Sequence, residues 1–60
     1  MLRLESKAYE GLVYWVNPEH IVMVWKDKDG LTRLELSNGK IIYPNESPEE
    51  IADMMRRTHK

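Results

Sequence analysis

The sequence predicts a mainly β domain with one C-terminal α-helix (α+β). Its five short strands are expected to form one small, strongly curved antiparallel five-stranded sheet or a barrel-like sheet. Three observations predict this. Short runs are rich in β-branched and aromatic side chains. Breaks carrying Gly, Pro and Asn separate them. An explicit helix start at Ser47 precedes a 3.6-period apolar stripe.

Leu2 and Leu4 alternate with Arg3 and Glu5, the period of a half-buried strand. Ser6 to Glu10 breaks that pattern and Gly11 marks a turn or bulge. Leu12 to Val16 forms the second strand, stopped by Asn17-Pro18-Glu19-His20. There the Asn17 oxygen can accept from nearby backbone N–H groups and Pro18 presets φ. Ile21 to Trp25 is the third strand, and Asp27-Lys28-Asp29-Gly30 supplies a loop with a glycine for positive φ. Leu31 to Ser37 is the fourth, with Leu34 and Leu36 inward and Arg33 and Glu35 outward. Asn38-Gly39 predicts a two-residue type I′ hairpin, which needs φ > 0 at both positions. Lys40 to Tyr43 returns as the fifth strand and Pro44 ends it.

The helix start is the most explicit signal. Ser47 takes the N-cap, Pro48 the first helical position, and Glu50 completes a capping box. Glu49, Glu50 and Asp53 suit the positive end of the helix dipole; Arg56, Arg57 and Lys60 suit the negative end. Ile51, Met54, Met55 and Thr58 fall on one core-facing stripe.

The second and third strands are apolar on both faces. Leu12, Tyr14 and Val16 oppose Val13 and Trp15, while Ile21, Met23 and Trp25 oppose Val22 and Val24. One short helix covers one face only, so the other needs closure of the sheet or a second subunit. At 60 residues the chain is a single domain, 1–60, near the lower limit for folding alone. Cysteine is absent, which excludes disulfides and thiolate metal sites. His20 and His59 are too far apart in sequence to suggest a metal cluster, so no metal or cofactor is expected. Oligomerisation or an unusually good core must then stabilise the domain. Tyr14, Trp15, Val22, Val24 and Trp25 are the candidate interface.

Catalysis is not expected. Glu19-His20 reads as a pair of turn residues without an orienting partner or a nucleophile in evident reach. Glycines 11, 30 and 39 are too scattered for a phosphate loop, and no nucleophile elbow surrounds Ser6, Ser37 or Ser47. Nine basic and ten acidic residues leave a net charge of −1, which argues against a general nucleic-acid or anionic-membrane binder. Tyr14, Trp15, Trp25 and Tyr43, flanked by Lys26, Lys28, Arg33 and Lys40, could stack bases. Asp27, Asp29 and Glu35 are interspersed among them and favour a core or interface role instead. The basic run from Arg56 to Lys60 reads as a helix end in solvent. Met23, Met54 and Met55 suit an adaptable core or a forgiving protein interface. No stretch approaches the ~18 apolar residues of a membrane span, so no membrane insertion is expected. Met1 to Glu5 carries no secretory signal, and cytoplasmic residence is the expectation.

Three pieces carry a family likeness: Val16-Asn17-Pro18-Glu19-His20-Ile21; Leu34 and Leu36 before Asn38-Gly39-Lys40; and Glu46-Ser47-Pro48-Glu49-Glu50-Ile51. In order and spacing, residues 16–55 resemble the FlbD/SwrD family of short flagellar-operon proteins. Trp15, Trp25, Pro44 and the first 15 residues depart from its pattern. The resemblance implies a non-enzymatic accessory protein, associated in that family with flagellar motor power and swarming, and carries over no catalytic residue. Similar short frames occur among phage and prophage proteins, and the hairpin also resembles part of LytTR DNA-binding domains.

The leading expectation is therefore a non-enzymatic protein-interaction module acting as a homo-oligomer with an unidentified protein partner. A phage- or prophage-encoded protein that modulates a host protein is the first alternative. A small β domain that binds nucleic acid or a nucleotide is the second.

Overall fold

The computed structural model describes residues 1–58, without the side chain of Thr58. The expected roles of Thr58, His59 and Lys60 lie outside the described residues. The elements run β1 (Leu2–Glu5), β2 (Val13–Val16), a single 3-10 turn (Pro18–His20), β3 (Ile21–Lys26), β4 (Thr32–Leu36), β5 (Ile41–Ile42) and α1 (Pro48–Thr58). A mainly β chain with one C-terminal helix is what the sequence predicts. The single five-stranded sheet or barrel is not: the strands form a two-stranded sheet, β1-β2, and a three-stranded sheet, β3-β4-β5.

Pro44 accounts for much of that difference. It lacks an N–H and fixes φ, and β5 stops two residues before it. The chain beyond Ile42 then touches the end of β1 through one bridge, Ser6 with Pro44. Two flanking bonds accompany it, Lys7 N–H to the Tyr43 carbonyl (2.9 Å) and Asn45 N–H to the Glu5 carbonyl (2.6 Å). The Glu46 carboxylate accepts from the Glu5 N–H at 3.2 and 3.3 Å. The sheets are stitched at one corner and form no continuous ladder.

Leu2 and Leu4 from β1, Val16 from β2, Leu34 from β4 and Ile51 from α1 make the buried apolar core. Tyr14, Ile21, Val24, Leu36, Ile42, Met54 and Met55 pack around it, partly buried. The antiparallel register sets Leu2 against Val16 and Leu4 against Tyr14, so the inward row of the first hairpin is apolar. Ile51 is fully buried because the cap aims the helix stripe at this core. Ser47 N–H donates to Glu50 Oε1 (2.8 Å) and Glu50 N–H to Ser47 Oγ (3.1 Å), the reciprocal pair of a capping box. No buried side-chain nitrogen or oxygen among the described residues lacks a partner.

The turns after β3 and β4 share one design. In each, an i-to-i+3 bond closes a turn whose last residue is a glycine at positive φ. Gly30 N–H donates to the Asp27 carbonyl (3.0 Å) and Gly39 N–H to the Leu36 carbonyl (2.9 Å). Their φ values are +82° and +86°. Asp27 N–H reaches the Leu31 carbonyl and Leu36 N–H the Lys40 carbonyl. These are three-residue loops with a glycine bulge. The expected type I′ turn at Asn38-Gly39 is thereby corrected, because no non-glycine described residue has positive φ. Asn38 instead accepts the Lys40 N–H through its side chain (3.0 Å). Inserting Ser37 into the loop relaxes the turn, so only the glycine enters the left-handed region.

Candidate interaction surface

On β3 a bulge decides which residues face outward. The register pairs Ile21 with Leu36 and Met23 with Glu35, leaving Val22 as the extra residue. Strict alternation would put Val22 on the face of Val24, opposite Ile21 and Met23. Instead Ile21 and Val24 pack against the core, while Val22 and Met23 are 62% and 51% exposed. On β3 the two-sided apolar pattern resolves into Ile21 and Val24 inward, with Val22, Met23 and the half-buried Trp25 outward.

The outer face of the three-stranded sheet has two cross-strand rows. Met23, Glu35 and Ile41 form the first, with Ile41 also exposed. Trp25 and Arg33 form the second, and the Arg33 guanidinium lies 5.2 Å from the centroid of the Tyr43 ring. Arg33 Nε also donates to Asp27 Oδ2 (2.8 Å). Asp27 Oδ1 accepts the N–H groups of Asp29 and Leu31, both at 2.9 Å. The Leu31 N–H is the chief cause that holds the Asp27 carboxyl below its ordinary range, with Arg33 and Asp29 adding to it and desolvation opposing. The Asp27 carboxylate in turn raises the Arg33 guanidinium. This network fixes the loop and one side of the outer face.

β3 is the terminal strand of its sheet, with β4 on one side only. Along it runs a groove of about 270 Å³ between strand and helix. Ile21 to Val24 line one wall, and Pro48, Ala52 and Met55 the other. A larger concavity of about 530 Å³ lies under the loop between β1 and β2. Its walls mix Arg3 and Lys7 with Glu5 and Glu10, so it presents no single charge.

The five residues singled out from the sequence do not share one face. Val22 points outward, and Trp25 lies half-buried on the outer face opposite Arg33. Val24 and Tyr14 pack against the core. Trp15, 64% exposed, belongs to the other sheet, opposite Arg3. Met23, which the sequence reading left between core and protein interface, and Ile41, Pro48 and Ala52, which it did not place there, complete the outer surface and groove. The uncharged run from Ile21 to Trp25, long for an edge strand, is the signal for the strand side of this surface, and Ile41, Pro48 and Ala52 carry no such local signal. His20 also has an unexpected partner: its Nδ1 lies 3.0 Å from Ser37 Oγ, with both residues exposed. This contact fastens the turn before β3 to the loop after β4.

Among the described residues no three His, Cys, Asp or Glu side chains cluster to hold a metal. No helix among them is long and apolar enough to cross a membrane. No family model, curated protein or solved structure matches this chain.

Proposed function

We propose that this chain is a non-enzymatic protein-interaction module that works as a homo-oligomer in the cytoplasm, an accessory protein of the flagellar kind its resemblance implies. The supporting observation is the exposed apolar pair Val22 and Met23 on a terminal strand, beside a groove lined by residues with apolar side chains. Edge strands are ordinarily blunted by inward charges, prolines or cover. Here the first five residues of β3 carry no charge. Among the described residues the core cluster of Leu2, Leu4, Val16, Leu34 and Ile51 is small, so further burial between chains adds to a small total.

Light scattering on the purified chain at micromolar concentration tests this. The expected result is a mass at a multiple of 7.1 kDa. A strictly monomeric species across the range would remove the homo-oligomer reading.

A further inference from the structure

We propose that Asn38 is a site of spontaneous deamidation, and that the loop between β4 and β5 sets its rate by occupying the proton that the reaction must remove. The reaction is internal to the chain and needs only water. The Gly39 nitrogen loses its proton to solvent and attacks Asn38 Cγ. A C–N bond forms, and the side-chain nitrogen leaves as ammonia, taking up a proton in turn. Water then opens the cyclic imide at either carbonyl. The products are aspartate and its isomer, in which the main chain runs through the side-chain carboxyl carbon. Nothing is oxidised or reduced. Deamidation here does not depend on self-association.

Among the asparagines of the chain, Asn17, Asn38 and Asn45, only Asn38 has the neighbour this chemistry favours. Asn17 precedes Pro18, whose nitrogen carries no proton. Asn45 precedes Glu46, whose side chain crowds the attacking nitrogen. Asn38 precedes Gly39, and both residues are exposed. A Cβ built on Gly39 would meet nothing within 4 Å, so the loop leaves open space around the glycine.

The folded loop engages both reacting groups in other bonds. Gly39 N–H donates to the Leu36 carbonyl at 2.9 Å, so its proton is held while that bond lasts. Asn38 Oδ1 accepts the Lys40 N–H at 3.0 Å. The loop is also tied back at Ser37. Its N–H donates to the His20 carbonyl at 2.8 Å, and its Oγ lies 3.0 Å from His20 Nδ1. The imide therefore closes only when the loop opens locally, and the His20 side chain acts as a latch. The loop after β3 is an internal comparison. It has the same turn, with Gly30 N–H on the Asp27 carbonyl, but Asp29 precedes the glycine. An ionised carboxylate is a poor target for an amide nitrogen, so that loop ages more slowly. At Asn38 either product adds a negative charge, and the isomer lengthens the main chain of the loop. β5, Ile41–Ile42, pairs only with Leu34 and Glu35. A shift there passes to the Tyr43–Pro44 seam with β1.

Hydrogen exchange makes the test quantitative, because exchange and deamidation both begin by removing the Gly39 proton. The full chain is incubated in mildly alkaline buffer, folded and in concentrated urea. Deamidation at Asn38 is followed by peptide mass spectrometry, and exchange of the Gly39 N–H by nuclear magnetic resonance. Asn38 should deamidate at least about tenfold more slowly in the folded chain than in urea, with Gly39 exchange slowed by the same factor to within about threefold. His20→Ala leaves the sequence around Asn38 unchanged. It should speed both reactions in the folded chain about two- to tenfold, the range for one lost hydrogen bond. Equal deamidation rates folded and in urea overturn the gating, as does Gly39 protection without matching slowing at Asn38. A folded His20→Ala chain that reacts at the wild-type rate overturns the latch. An Asn38 that stays intact in urea overturns the site itself.

Discussion

Asp27 shows how one side chain fixes a loop. Its two carboxylate oxygens accept from the Asp29 and Leu31 N–H groups and from Arg33 Nε, three bonds that suit the ionised form. The folded state therefore ionises Asp27 below its ordinary 3.8, and the unfolded chain binds that proton more tightly. By linkage, this stabilisation is fully present above the unfolded value and disappears as pH falls through the lower folded one. Asp27→Asn should flatten the acid limb of a stability–pH curve below pH ~5, and Asp27→Ala should lower the melting temperature more than Asp29→Ala. Equal curves for wild type and Asp27→Asn would show that the carboxylate contributes nothing. Gly30 and Gly39 are the neighbouring constraint. Nothing lies within 4 Å of a Cβ built at either position, so an added methyl meets backbone strain alone. Gly30→Ala and Gly39→Ala should each cost about 1–2 kcal/mol by denaturant melts. Asn at either position should cost less, because its side chain can bond locally in the left-handed region.

Among the elements, legibility followed the range of the interaction that decides each one. The α1 start was readable because the capping box lies within four residues, Ser47 to Glu50, and both of its bonds form. Ser47→Ala should cost about 1 kcal/mol, and a thermal melt unchanged by it would place the cap elsewhere. The Asn17 turn was readable for the same reason: its side-chain oxygen accepts the Glu19 N–H at 3.0 Å. The loop at Asn38-Gly39 was half-readable. The glycine does take positive φ, but the loop holds three residues, because Leu36 pairs with Lys40. The β3 bulge was not readable, since it depends on how Ile21 and Val24 both reach the core shared with Leu34 and Ile51. With it went the correct facing of Val22, Met23 and Val24, and hence much of the candidate surface. Val22→Lys places a charge on the outward residue of the bulge. It should leave the far-ultraviolet spectrum of the fold intact while abolishing self-association, because an edge lysine opposes strand pairing.

For the whole molecule, the balance between a small core and an open edge sets behaviour. Truncating a fully buried side chain, Leu4→Ala, Leu34→Ala or Ile51→Ala, should cost about 2–5 kcal/mol. Domains hold only about 5–15 kcal/mol in total, so each variant should melt well below the wild type by circular dichroism. The two-sheet arrangement was hidden from the sequence because five strands with short links are compatible with one continuous sheet. What separates them is that Pro44 and the two-residue β5 reduce the junction with β1 to a single bridge. On the proposed self-association, burial between copies adds to a modest interior, and the melting temperature should rise with protein concentration, as mass action requires of a dimer.

Sedimentation equilibrium of the wild type beside Val22→Lys tests the central claim most directly. Association through β3 predicts twice the chain mass of 7.1 kDa for the wild type and the single-chain mass for the variant. A wild type that stays at the single-chain mass, or a variant that stays dimeric, would contradict it.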